Sequence, residues 1–292
     1  MILSLGLAAP VLAIPSAAAL AGYGVAAVLP EAGEGDGAQP SKAQQRVRAA
    51  LLFGWLAQGL AIFVDVSGAG SAAPGARFGF APALSATLWL VLAVHAVETR
   101  FSPLPKVRRT LAALGVAAVA LAWAWPGESR PHAGSPWAPL HWVLGIVSYG
   151  LFGAAVLHAL LLDAADRRMR PQPHALGQPA ALAPARPAGL PLLALEKLTF
   201  RFVEAGFAVL SATLLLGWWF ANPWRWDHKT VFSILGWLVF AALVAGRHAF
   251  GWRGRRATRW LYAGALLLML AYVGSRFVLE VVLHRPAAPY GS

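Results

Sequence analysis

Residues 205–219 read Ala-Gly-Phe-Ala-Val-Leu-Ser-Ala-Thr-Leu-Leu-Leu-Gly-Trp-Trp, an unbroken run without a charged side chain. Apolarity this continuous, with no alternation of polar positions, belongs to a helix in a protein core or in lipid. The rest of the chain decides which. Of 292 residues, 58% are hydrophobic and 12% are charged, with a mean hydropathy of +0.60. A soluble domain carries about twice that charge, and too little polar surface remains here to cover one. The apolar stretches are long and continuous, which also excludes the alternating strands of an outer-membrane barrel. The expected fold is all-α, a polytopic membrane protein of about eight transmembrane helices.

About twenty apolar residues cross a bilayer. Eight spans meet that measure: Leu5–Leu29, Ala49–Val66, Pro82–Val97, Thr110–Trp125, Pro139–Leu162, Thr199–Ala221, Val231–Ala249 and Trp260–Leu283. No side chain from Met1 to Leu29 is charged, whereas a signal peptide starts with positive charge. The first stretch is therefore expected to be a transmembrane helix with its N-terminus outside. With that orientation, eighteen of the 24 Lys/Arg fall on inner segments and five on outer ones, with Arg276 inside the last span. The bias obeys the positive-inside rule and puts both termini outside. The net charge of +12 thus suits contact with membrane lipids, and no nucleic-acid partner is expected.

The organisation expected is a single integral membrane domain over residues 1–292. Within it, residues 1–138 form an N-terminal four-helix part. Residues 139–292 form a second part, with a Pro/Ala-rich flexible inner linker over 164–195.

The absence of cysteine excludes disulfides, thiolate metal sites and iron–sulfur clusters. The histidines sort by side. His132, His141, His228 and His284 fall at the outer face, and His95, His158, His174 and His248 at or near the inner one. The outer group lies among aromatics: Trp137 and Trp142 around His141, then Trp218, Trp219, Trp224 and Trp226 before His228. Trp and Tyr gather at membrane interfaces as an aromatic belt whatever the function. A planar macrocycle carrying a metal and carboxylates would use the same set: flat indole faces, imidazole ligands, and Arg225, Lys229 or Arg276 for propionates. Asp227 is placed to cap the following helix. Asp65 is expected at the interface. Glu204 is expected to find a partner such as Arg201, and Arg276 and Glu280, four apart, to satisfy each other.

The segment Trp224–Thr230 (W-R-W-D-H-K-T) resembles the W-x-W-D-x-K core of the CcsA/CcmC-type cytochrome c assembly proteins, the tryptophan-rich haem-handling family. Leu140–Leu157 is similar to that family's helix with His at its outer start. Leu195–Gly217 resembles the helix leading into the Trp-rich loop, and Trp237–Arg256 ends in a similar G-W-R-G-R-R. The ending G-S-R-F-V-L-E-V-V-L looks most like the HemX/YpjD-like branch. Together these cover roughly Leu140 to Leu283.

The resemblance implies a bacterial inner-membrane protein that holds haem b at its periplasmic face. Two histidines would ligate it, His141 and His284, with His228 as an alternative. Trp142, Trp218, Trp219, Trp224, Arg225, Trp226, Asp227, Lys229 and Arg276 would surround the macrocycle. Other cytochrome c maturation proteins are the implied partners. Departures from the family pattern are a shortened Trp-rich loop and the lack of an intramembrane His on the seventh helix, where His248 lies among arginines. With no cysteine either, haem handling rather than complete haem attachment is expected. Two alternatives remain: a small transporter with Glu204, Arg276 and the outer histidines along a polar path, or a membrane scaffold without ligand.

Overall fold

The computed structural model describes residues 10–29, 41–68, 76–98, 105–130, 137–169, 192–220 and 226–283. Eight helices in it are long and apolar enough to cross a membrane. They are α1 (Pro10–Val28), α2 (Lys42–Ser67), α3 (Phe80–Glu98), α4 (Pro105–Ala124), α5 (Ala138–Met169), α6 (Leu192–Phe220), α7 (His228–Phe250) and α8 (Gly254–Met269). The last helix continues past Met269 to Val282 through two π-helical turns, Leu270–Gly274 and Val278–Val282. One short ribbon adds to the helices, with β1 (Ala76–Phe78) antiparallel to β2 (Glu128–Arg130).

The α2 helix shows how lipid inverts the usual amphipathic rule. Leu52, Phe53, Leu56, Leu60 and Phe63 are exposed, while Gln58 and Asp65 are buried beside Gly54, Ala57 and Ala61. Lipid welcomes the large apolar side chains, so the polar ones turn inward and find partners. Tyr23 of α1 donates its hydroxyl to Gln58 Oε1 at 2.5 Å. The Gln58 amide then donates to Ser85 of α3, at 2.9 Å to Oγ and 3.1 Å to the carbonyl. Nearby, Trp55 and Trp89 stack at 4.7 Å, each indole N–H donating to the other residue's carbonyl. Gln58→Leu deletes the hub and leaves two buried polar groups unpaired. It should cost about 1–2 kcal/mol, read as a lowered thermal midpoint of the detergent-solubilised protein.

Two packing centres result. One joins α1 to α4 around Tyr23, Leu92, Leu111 and Val119. The other joins α5 to α8 around Phe152, Val203, Phe240, Leu243 and Leu261, with the Phe152 and Phe240 rings stacked 3.8 Å apart. The α3 helix packs on α5 and links the two.

The ends of several helices differ from the sequence-based expectation. The α2 helix starts at Lys42 because Ser41 and Gln44 form a reciprocal capping box, a device indifferent to the bilayer surface. Helix α5 runs on to Met169 and α6 starts at Leu192, so both extend into the segment read as a linker. Residues 170–191 lie outside the described residues. Asp65, two residues before the end of α2, is buried, with Arg77 of β1 3.7 Å from it.

At the β-ribbon end, chain approaches are tight. Gly127 has φ +76°, a backbone region L side chains avoid. A Cβ on Gly79 would sit 2.8 Å from the Gly127 Cα and 3.0 Å from Glu280 Oε2. The ribbon thus closes over the end of the last helix, with Phe80 edge-on to Phe277 at 5.3 Å.

Candidate functional site

Helix connectivity brings the start of α5, the end of α6, the start of α7 and the end of the last helix to the ribbon end of the bundle. Helix α5 opens at Ala138-Pro139, where a first-turn proline loses no hydrogen bond. His141 then lies half-buried against α6. Its Nδ1 is 3.0 Å from the Thr213 carbonyl oxygen. A carbonyl only accepts, so Nδ1 carries the proton, and in the neutral ring the basic lone pair is on Nε2. This is how metal-binding imidazoles are commonly oriented, by a hydrogen bond through the other nitrogen.

The ring can lie there because residue 217 is glycine. A Cβ at that position would stand 2.9 Å from His141 Cε1 and 3.4 Å from Nδ1. Neither the Thr213 carbonyl nor Gly217 is visible as a site residue in the sequence. The only trace is a lone glycine inside an apolar helical run, which marks a close approach.

On α7, Asp227 is the N-cap, its Oδ1 accepting from the Thr230 amide at 2.7 Å. The cap sets His228 and Lys229, both exposed, in the first turn. Asp227→Ala should cost about 1 kcal/mol and loosen that turn, seen as faster amide exchange at Thr230 and Val231.

The Lys229 ammonium lies 5.5 Å from the centre of the Tyr272 ring, and the Arg276 guanidinium 5.9 Å from it. Tyr272 sits in the first π-helical turn. An i→i+5 turn inserts one residue into the helical repeat and re-aims everything after it. Side chains from elsewhere support the distortion: the Tyr149 hydroxyl of α5 donates to the Leu268 carbonyl. Ser275 Oγ also donates to the Ala271 carbonyl at 2.8 Å. Arg276 and Glu280, both largely buried, stand 4.0 Å apart as an ion pair, as their spacing implied.

The indoles of Trp218, Trp219 and Trp226 are 65%, 78% and 73% exposed, forming an aromatic rim around this end, with Trp142 half-buried beside His141. Trp224, Arg225 and His284 lie outside the described residues. Among the described residues, no three His, Cys, Asp or Glu side chains come together as a metal-binding group. His141 is thus a single preset donor beside exposed aromatics and a nearby cation, Lys229. That donor set fits a haem, whose iron takes axial imidazoles and whose ring lies on aromatic faces.

Elsewhere, Glu204 pairs not with Arg201 but with His248 of α7, Oε1 to Nε2 at 3.0 Å. The two side chains are 43% and 66% exposed, so they face outward from the bundle. His95 and His158 are buried packing residues. His158 Nδ1 donates to the Ala154 carbonyl of its own helix at 2.7 Å.

Comparison with known proteins matches residues 73–283 to the family described as Cytochrome C assembly protein. The chain is 32% identical over 168 residues to the inner membrane protein YpjD of Escherichia coli K12, covering 56% of this chain and 60% of that protein. It is 26% identical over 221 residues to the cytochrome c biogenesis protein CcsA of Synechococcus sp. CC9605, covering 67% and 72%. A third relative, the protein of the same name in Prochlorococcus marinus MIT 9303, is 33% identical over 95 residues, 31% of this chain and 30% of that one. No solved structure matches the chain. With most of its length under the family match and eight membrane-spanning helices in its fold, this chain belongs to the cytochrome c assembly protein family.

Proposed function

We propose that this multi-pass membrane protein handles haem in cytochrome c maturation or haem homeostasis. In this reading it binds haem b at the ribbon end of the bundle rather than transforming it. Family membership supports the maturation role. The observation that carries the site is the His141 ring, held by the Thr213 carbonyl over Gly217 with Nε2 as its basic nitrogen.

His141 would hold the iron through one imidazole, and His284, which directly follows the last described residue, or His228 in the first turn of α7 would supply a second. Trp142, Trp218, Trp219, Trp224 and Trp226 give the macrocycle flat contact area. Lys229 and Arg225 pair with propionates. Arg276 reaches one as well, with Glu280 holding its guanidinium in place. Asp227 keeps the α7 turn in register. Bound there, haem would supply a redox-active iron held by imidazole nitrogens. In this reading the protein sits in a bacterial inner membrane with its Trp-rich loop on the periplasmic side and hands haem to other maturation proteins. The transporter alternative draws on Glu204, whose side chain pairs with His248 on the outside of the bundle.

The test is an absorption spectrum of detergent-purified protein from haem-replete cells, oxidised and reduced. A b-type spectrum supports the reading. No haem on purification and no uptake on titration would leave it without foundation.

A further inference from the structure

The end of the bundle opposite His141 holds a polar cavity of about 200 Å³ between α5 and α8. Its walls are Asp163 and Arg167 of α5 and Arg255, Thr258, Arg259 and Tyr262 of α8. Asp163 and Arg167 are four apart, and Arg255, Thr258, Arg259 and Tyr262 follow an i, i+3, i+4, i+7 pattern, so each set shares one face.

Asp163 bolts the two helices together. Its Oδ2 accepts from the Tyr262 hydroxyl at 2.9 Å and its Oδ1 from the Thr258 hydroxyl at 3.4 Å. Arg255 Nε stands 3.9 Å from Asp166. Three guanidiniums line the cavity beside one carboxylate, Asp163, which already accepts from two hydroxyls. Positive charge is in excess among the lining residues.

The height of this cavity decides what can reach it. Trp142 lies in the aromatic rim at the other end of α5, and Asp163 follows it about 32 Å further along the helix at 1.5 Å per residue. A bilayer's hydrocarbon core is about 30 Å thick. The cavity thus opens where lipid phosphates lie.

The geometry points to a phosphodiester site in which Arg167, Arg255 and Arg259 hold the headgroup phosphate of an anionic phospholipid. A guanidinium fork matches two phosphate oxygens, and a phosphodiester brings negative charge to a lining in which positive charge is in excess. The site sits at the end where the sequence expects the positively charged loops, and it concentrates a diffuse lipid attraction into one pocket.

The experiment uses delipidated full-length protein in neutral detergent. It is titrated with dioleoylphosphatidylglycerol, with dioleoylphosphatidylcholine, or with sodium phosphate. The readouts are thermal midpoint and lipid retained by native mass spectrometry. The expected result is saturable stabilisation and about one retained phosphatidylglycerol, with no such effect of phosphatidylcholine. Arg167→Ala/Arg259→Ala should weaken that binding about tenfold or more. Arg48→Ala/Arg109→Ala, which removes exposed arginines of the same end on α2 and α4, should leave it unchanged. Arg167→Lys/Arg259→Lys keeps the charge without the fork and should fall between, guarding against a folding artefact. Equal binding of both lipids, equal loss in the α2/α4 variant, or retained binding in the α5/α8 variant overturns the site. Saturation by inorganic phosphate with no effect of the lipid overturns the phospholipid as its occupant.

Discussion

His141→Ala is expected to remove the b-type spectrum from the purified protein and to weaken haem uptake by more than the roughly 10–100-fold typical of losing a supporting group around a metal. The fold should survive. Thr213 is helical, so its carbonyl keeps its place in the α6 hydrogen-bond ladder when the imidazole leaves. Truncation opens a ring-sized space beside Gly217, and the Thr213 carbonyl is not left unpaired. The thermal midpoint of the unloaded protein should therefore change little, which separates loss of a ligand from loss of structure. Added imidazole fits the space and should restore part of the band. His228→Ala and His284→Ala, measured alongside, identify the second ligand as the one whose loss also changes the low-spin spectrum. If His141→Ala keeps an unaltered spectrum and affinity, the assignment of this end of the bundle as a haem site fails.

The spans were legible because lipid imposes a length and a composition that no soluble fold requires, and runs such as 205–219 satisfy both. Their ends were less so. Ser41 and Gln44 start α2 by a local cap, and α5 persists to Met169, past the Asp163 contacts with α8. Neither depends on hydropathy. Pairings within one helix could be read from spacing, as with Arg276 and Glu280. Pairings between helices could not. The partner of Glu204 is His248, 44 residues away, and that of Asp65 lies on a strand with no sequence signal of its own. The site divides the same way. His141 and the Trp-rich segment carry a side-chain signature, so a resemblance can point to them. What orients His141 is a main-chain carbonyl and the lack of a side chain at 217, and neither leaves a distinctive letter. The first π-helical turn has the Tyr149 hydroxyl of α5 on the Leu268 carbonyl just before it, a tertiary contact, and Ser275 on the Ala271 carbonyl of its own helix.

Because the Thr213 partner is a main-chain carbonyl, no side-chain substitution at that position deletes the hydrogen bond. The orientation of the imidazole is best tested at Gly217. A Cβ there falls 2.9 Å from Cε1, closer than carbon atoms pack, and the ring is the movable partner since it is the far end of a side chain. Gly217→Ala should therefore tilt the imidazole off the Thr213 carbonyl and weaken haem binding by about 10–100-fold, the usual effect of disturbing the group that orients a metal ligand. Gly217→Leu should abolish binding. Stability should move the other way in the alanine variant. Alanine is favoured over glycine in a helix interior by about 1 kcal/mol, so the unloaded protein should melt slightly higher while it binds haem less well. A merely structural glycine would give the reverse, a lower midpoint with binding intact among the molecules that remain folded. Unchanged haem affinity in Gly217→Ala would mean that the imidazole's seat on α6 has no part in ligation, even if His141 itself does.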